Sequence, residues 1–296
     1  MLSLHTNYAS LSAQTSLGKT QSALATSQTR LSTGYRINSA MDDAAGLQIA
    51  TRLKAQTSGM AVAMRNTQNA TSMLQTGEGA FDEITSMLSR MKDLATQASD
   101  ASASTNDRTA MQSEYDALGN QLTQVMSNTS FGGMDLLGGG TTKGALAATS
   151  GLTFQIGAST SETFTLNLAA QFTAVQAAFT AATSNYSVTG AAVSTAGTEL
   201  STGTGANGII DKLSTALTAV GTVRSALGAA ANRLDHVYNN LQNESTNTTT
   251  ATSRIMDTDY ASETANQTTQ SMLAQAGTAM LKQSGQMSQM VLSLLQ

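Results

Sequence analysis

The stretch Phe81-Asp82-Glu83-Ile84-Thr85-Ser86-Met87-Leu88-Ser89-Arg90-Met91-Lys92-Asp93-Leu94-Ala95-Thr96-Gln97-Ala98 sets its apolar residues at steps of three and four. Phe81, Ile84, Leu88, Met91, Ala95 and Ala98 therefore fall on one face of an α-helix, whereas a strand would alternate at every second residue. The same rule finds a second seam in Met111, Tyr115, Leu118, Leu122 and Val125. A third and longest runs through Leu213, Ala216, Val220, Val223, Leu227, Ala230, Leu234, Val237 and Leu241. Such seams bury themselves against one another, so the spacing predicts a rod-like helical bundle. Between the first two, Asp100 to Asp107 is a short polar break with capping residues, which lets those helices fold back antiparallel.

Toward the N-terminus, Leu17, Leu24 and Leu31 recur every seven residues until Gly34 interrupts their helix. A new helix is expected from near Ser39, with the carboxylates of Asp42 and Asp43 at the positive end of its dipole. Gly34-Tyr35-Arg36-Ile37-Asn38 then reads as a hinge. At the other end, Leu273, Met280, Met287 and Leu294 also recur every seven residues, interleaved with Ala276, Met290 and Val291. Each terminal stripe would leave a large apolar surface on a lone subunit. The two stripes can cover one another in part, and the remainder asks for other subunits; burial of both in the bundle core is the alternative.

The middle of the chain changes character. Gly138-Gly139-Gly140-Thr141-Thr142 reads as a loop. Leu152, Phe154 and Ile156 alternate with polar residues, as do Phe164, Leu166 and Leu168, with Gly157 to Glu162 between them. That pattern predicts a β-hairpin with one buried face. From about Tyr186 to Gly208 the Ser, Thr, Gly and Ala residues show no period and read as a weakly ordered surface loop.

Composition narrows the function. Only 11% of the 296 residues are charged, against about 25% in a typical globular domain, and the net charge is -4. No broad cationic face is available for nucleic acid or an anionic membrane. Proline, cysteine and tryptophan are absent, so there is no disulfide, thiolate metal site or cysteine nucleophile. The two histidines, His5 and His236, form no HExxH motif, and no catalytic, cofactor-binding or metal-binding set emerges. Gly138 to Gly140 lacks the Lys-Ser/Thr of a phosphate loop. Asp42 with Asp43, and Asp257 with Asp259, are explained by helix starts rather than acid–base chemistry.

Ser and Thr, roughly a quarter of the chain, can be buried when hydrogen-bonded, as unpaired charges cannot. That suits close packing against copies of the same chain, with a long soluble coiled coil as the bland alternative. The N-terminus lacks a charged region followed by an apolar core, so no cleaved secretory signal is expected, and no run is long enough to span a membrane. Sequons at Asn243 and Asn247 read as chance matches. A membrane-surface helix would carry basic residues on its polar face, and Ser271 to Gln296 offers only Lys282.

Several long motifs resemble one family. Arg30-Leu31-Ser32-Thr33-Gly34-Tyr35-Arg36-Ile37-Asn38-Ser39-Ala40-Met41-Asp42-Asp43-Ala44-Ala45-Gly46 is similar to the N-terminal signature of bacterial flagellins, and Gln75-Thr76-Gly77-Glu78-Gly79-Ala80-Phe81 to its next landmark. Asn232-Arg233-Leu234, Ser253-Arg254-Ile255-Met256-Asp257-Thr258-Asp259-Tyr260-Ala261-Ser262-Glu263 and Val291-Leu292-Ser293-Leu294-Leu295 resemble the C-terminal motifs. The resemblance covers roughly residues 1–170 and 206–296.

The resemblance implies a mainly α fold, in which N- and C-terminal segments form a long antiparallel helical bundle or coiled coil with a small β-hairpin in the middle. It implies an inner terminal domain of 1–40 with 255–296, a helical rod domain of 41–140 with 206–254, and a short variable surface region at 141–205, as in lateral-type short forms. It further implies a secreted, non-enzymatic subunit without cofactor. Such a subunit is exported by the flagellar type III apparatus and polymerises into the extracellular filament for motility. The implied partners are other subunits and the export chaperone, cap and junction proteins, with no nucleic acid and no membrane; a hook–filament junction protein is the alternative.

The polymerisation core is expected at Leu17, Leu24, Leu31, Leu273, Met280, Met287 and Leu294. By resemblance, Arg90, Leu94 and Glu114 match contacts for a host Toll-like receptor, with Arg90 and Leu94 on a face off the Phe81–Ala98 seam. Ser89, Lys92 and Asp93 depart from the family's pattern there. Leu292, Leu294 and Leu295 resemble leucines sensed by inflammasome-type receptors.

Overall fold

Each predicted helical seam lies on a helix in the computed structural model, which describes residues 7–138 and 144–293. In chain order the elements are α1 (Tyr8–Thr33), α2 (Ala44–Ser99), α3 (Thr105–Asn128), β1 (Ser130–Phe131), β2 (Met134–Asp135), β3 (Leu152–Gln155), β4 (Thr163–Leu166), α4 (Ala169–Ala182), α5 (Gly203–Met256) and α6 (Tyr260–Ser293). The chain is mainly α. It divides into two compact units, Met1–Thr57 with Thr246–Gln296, and Ser58–Ser245, the division falling inside α2 and inside α5.

The unit Ser58–Ser245 holds the continuous apolar core. Phe81, Ile84, Leu88, Met91, Ala95 and Ala98 of α2 are buried with Tyr115 and Leu122 of α3 and with Leu213 to Leu234 of α5. The polar break expected after Ala98 is a turn between Ser99 and Thr105. Ser104 caps α3 in a reciprocal box with Asp107: the Asp107 N–H donates to Ser104 Oγ at 3.2 Å and the Ser104 N–H to Asp107 Oδ2 at 3.0 Å. Two orphan donors are thereby satisfied at the helix start.

The predicted hairpin forms as β3 and β4, antiparallel with Leu152 opposite Leu166 and Phe154 opposite Phe164. Phe164 is buried, and the Arg233 guanidinium of α5 lies 4.7 Å from its ring centroid, a cation–π contact that seats the hairpin on the bundle. Two elements were not expected. Gly132 and Gly133, both with positive φ, make the tight turn of the small β1–β2 hairpin; two successive residues of that kind suit a two-residue loop. Helix α4 buries Phe172, Val175, Phe179 and Ala182 in the same core, with Phe81 and Phe172 edge to face at 5.6 Å.

The segment expected to be a weakly ordered loop is instead laced to α3. Gln112, Asp116, Asn120 and Thr123 accept hydrogen bonds from the backbone N–H groups of Leu200, Gly197, Val193 and Ser187 at 2.6, 3.0, 2.9 and 3.1 Å. Asn120 also donates to the Val193 carbonyl at 3.1 Å. These four side chains stand in one row on α3 and take the place of a neighbouring strand, satisfying backbone that would otherwise face an apolar bundle. The loop gives way to α5 at Gly203, five residues before Gly208.

In the other unit, α1 ends at Thr33, and Gly34, in the left-handed region, donates its N–H to the Arg30 carbonyl. The hinge residues pair with the connection between α5 and α6. Arg36 N–H donates to the Met256 carbonyl at 2.6 Å and Thr258 N–H to the Gly34 carbonyl at 2.9 Å, while the Arg36 guanidinium donates to the Ile255 carbonyl at 2.9 Å. Helix α2 begins at Ala44 rather than near Ser39. Asp42 closes a turn first, accepting from the N–H groups of Asn38 and Ser39 at 3.1 and 2.9 Å, and only Asp43 acts as a cap, accepting from Gly46 N–H at 2.9 Å.

Candidate assembly surfaces

Helices α1 and α6 run antiparallel. Asn7 Nδ2 donates to Ser284 Oγ at 3.2 Å at one end, and Arg30 approaches Glu263 at 3.8 Å at the other. One row of covered residues on α1 is Ser10, Ala13, Leu17, Thr20, Leu24, Ser27 and Leu31, flanked by Ala23 and Arg30, and one on α6 is Glu263, Gln267, Gln270, Ala274, Gly277, Leu281 and Ser284, flanked by Ser271. Both rows step alternately by three and four, the spacing of a coiled-coil seam. Gly277 lets the helices approach, since a Cβ there would lie 3.3 Å from Leu17 Cδ1.

Among the described side chains the α6 side of this seam is polar and small, with Leu281 the single large aliphatic residue there. The apolar heptad row is displaced to its flank: Leu273 and Met280 are 51% and 65% exposed. On α1 the predicted leucines lie in the seam itself, where Leu17, Leu24 and Leu31 are half-buried. Tyr8 and Leu11 add further exposed apolar surface. Met287 and Leu292 fall within α6, while Leu294 and Leu295 lie outside the described residues.

One ionic pair is set into this seam. Glu263 is 8% exposed, and Arg30 Nε is buried with no hydrogen-bond acceptor. Removing one partner of a pair withdrawn from water is strongly destabilising, and the effect is moderated here because the Arg30 side chain keeps 31% of its surface exposed.

In the larger unit, Arg90 and Glu114 are brought together across α2 and α3 as an exposed ion pair, Nη2 to Oε1 at 2.7 Å. Leu94 does not share that surface. It is 2% exposed and belongs to the apolar core, which corrects the expectation that it lies off the α2 seam. Helix α2 packs on more than one neighbour, so its buried face is wider than a single row and takes in Leu94 beside Met91 and Ala98.

The paired carboxylates are structural. Backbone and side-chain hydrogen bonds from Ser39 and Asn38 hold Asp42 below the usual carboxylate range. Asp259 caps α6 by accepting from Ala261 N–H at 3.0 Å. Burial pushes the Glu199 carboxyl up, but hydrogen bonds from the Ser184 N–H and hydroxyl and from Gln112 outweigh it and hold it low. His236 lies on α5, and His5 lies outside the described residues. Among the described residues no cluster of three metal-ligating side chains occurs, and no helix is long and apolar enough to cross a membrane.

Comparison with known proteins places these features in a family context. A sequence model of the bacterial flagellin N-terminal helical region matches residues 4–142, and one of the C-terminal helical region matches 210–295. The chain is 32% identical to flagellin B of Vibrio cholerae serotype O1, the match covering 99% of each protein. That alignment runs over 381 positions, so the relative carries insertions that this chain lacks. The chain is 36% identical to a flagellin of Halalkalibacterium halodurans over 90% of this chain and 89% of that one. A putative flagellar hook-associated protein from Vibrio parahaemolyticus shares the fold, with a TM-score of 0.54 over 73% of this chain and 100% of that one at 15% identity.

Proposed function

This chain belongs to the bacterial flagellins, structural subunits of the flagellar filament, and from that premise we propose that it polymerises through the apolar row on α6. The observation that carries the reading is the mismatch on that helix: a polar, small seam toward α1, with Leu273 and Met280 exposed beside it. Apolar area left in water gains about 25 cal/mol per Å² when a second copy covers it. A contact between different faces that does not close on itself propagates as a filament.

Met287 and Leu294 extend the row by their spacing, and Leu17, Leu24 and Leu31 support it from the opposing helix. In the assembled state residues 1–40 with 255–296 form the inner domain, 41–140 with 206–254 the rod, and 141–205 the surface. Export through the flagellar type III apparatus with a chaperone, docking onto the junction protein beneath the cap, and rotation for motility complete the reading.

Heat-dissociated protein supplied with sheared seeds is expected to grow long filaments of uniform width under negative-stain electron microscopy. Leu273→Asp is expected to abolish growth while circular dichroism keeps the helical signal of the parent. Uniform filaments from Leu273→Asp overturn the α6 reading, and short capped stubs from the parent point to a junction protein.

The exposed Arg90–Glu114 pair favours a second role, as a contact for a host Toll-like receptor. Leu94, being buried, supports the pair from beneath rather than meeting a partner. Replacing Arg90 and Glu114 together by Ala is expected to lower signalling in receptor-bearing reporter cells; unchanged signalling removes the assignment. The terminal Leu292, Leu294 and Leu295 are assigned to inflammasome-type sensing on the resemblance alone.

A further inference from the structure

The methionines of this chain divide by exposure. Met60, Met73, Met91 and Met126 are buried, whereas Met41, Met134, Met272 and Met280 are 97%, 49%, 58% and 65% exposed. Of these four exposed methionines among the described residues, Met272 and Met280 lie on α6. Met280 follows Leu273 by seven residues along the apolar row, and Met272 stands beside that row's first member. No charged residue lies between Leu273 and Met280, and the nearest cation in sequence is Lys282.

We infer that Met272 and Met280 are oxidation sites through which peroxide switches the assembly surface off. The inference rests on the filament reading above. A thioether sulfur attacks one oxygen of hydrogen peroxide; the S–O bond forms as the O–O bond breaks, and the departing hydroxide takes the proton of the sulfur-bound oxygen, leaving sulfoxide and water. Sulfur loses two electrons and peroxide gains them, so the step balances with no other reactant. The product is a polar, chiral sulfoxide in place of a flexible apolar side chain. On a surface whose gain comes from leaving water, two sulfoxides set unpaired acceptor oxygens against the incoming copy. The buried methionines are shielded, so the subunit keeps its core while losing the surface that recruits neighbours. Sulfoxide reductases reverse the change one epimer at a time, which makes the switch resettable before export and one-way outside the cell. Once a second copy covers α6 the sulfurs are enclosed, so free subunits are sensitive and finished filaments resistant.

The test exposes heat-dissociated full-length subunits to limiting hydrogen peroxide, locates each added oxygen by peptide mass spectrometry, and then measures seeded growth. Oxygen is expected first on Met41, Met134, Met272 and Met280, with a rise of about tenfold or more in the subunit concentration needed for growth, the factor lost with burial of one methionine. Combined methionine sulfoxide reductases A and B are expected to restore growth. The double variant M272L/M280L, compared before and after oxidation against its own unoxidised growth, is expected to lose a much smaller fraction of that growth than the parent loses. Equal inhibition of that variant, or undiminished growth of fully oxidised parent, overturns the inference while leaving the filament reading standing. If unoxidised parent grows no filament, the filament reading fails and this inference falls with it.

Discussion

The α1–α6 pair and the core of the Ser58–Ser245 unit share one periodicity and differ in what they put on it. In the larger unit the three-four rows are Phe, Ile, Leu, Val and Met, closed off from water and locked by the Phe81–Phe172 contact. In the terminal pair the covered row of α6 is Glu263, Gln267, Gln270, Ala274, Gly277, Leu281 and Ser284, with the apolar residues beside it left exposed. A coiled-coil spacing thus specifies where helices meet, and the side chains on it decide whether the meeting is stable alone. The larger unit buries its apolar rows within one chain, and the terminal pair leaves Leu273 and Met280 in water.

The largest expected effect breaks this contrast directly. Phe81→Ala removes a fully buried ring and is expected to cost about 3–5 kcal/mol, read as a shift in the urea midpoint of the Ser58–Ser245 unit. Leu24→Ala, a half-buried seam leucine, is expected to cost about 1 kcal/mol by area. Equal losses from the two substitutions would erase the distinction drawn here.

A smaller effect sharpens the account of the polar seam. Glu263→Leu leaves Arg30 without its carboxylate and is expected to destabilise α1–α6 by about 2 kcal/mol, below the range for a fully buried pair because Arg30 retains solvent. Combining it with Arg30→Leu is expected to recover most of the loss, measured as the thermal midpoint of helix signal at low subunit concentration. A double variant as unstable as Glu263→Leu would show that the pair's charge is not what matters.

The smallest expected effect concerns the laced loop. Glu199 is held below the ordinary carboxylate range in the folded chain. Its contribution is therefore present at pH values above the unfolded carboxylate pKa and is lost as pH falls through the lower folded value. Acidification is expected to lower the protection factor of the Ser184 amide, its exchange rate relative to that of an open chain at the same pH, before it lowers those of the core helices. Glu199→Gln is expected to remove that pH dependence; a variant with the parent's profile would assign it elsewhere.

Much of this architecture was legible in advance because helical burial writes itself locally. The α2, α3 and α5 rows, the break capped by Ser104, the β3–β4 alternation and the interruption at Gly34 each leave a mark within a few residues. Helix α4 also left one, in Phe172, Val175, Phe179 and Ala182 at steps of three and four, a short row overlooked between a hairpin and a featureless stretch. The row Gln112, Asp116, Asn120 and Thr123 was equally visible as a polar stripe, but its partners lie 64 to 88 residues away and are backbone groups. Backbone donors carry no side-chain signature, so nothing in Tyr186 to Gly208 announces that it is bound.

By itself the sequence determined which residues form helices, which rows are apolar, and which family the motifs resemble, because periodicity and turn chemistry act over three to seven residues. Tertiary structure alone decided that Leu94 is buried while Arg90 meets Glu114, and that Leu273 and Met280 stand outside the α1–α6 seam. Those outcomes depend on how many neighbours a helix has and at what rotation it meets them. Rotation between two seams set by polar and small residues follows from packing across the pair, which no local pattern in either helix records.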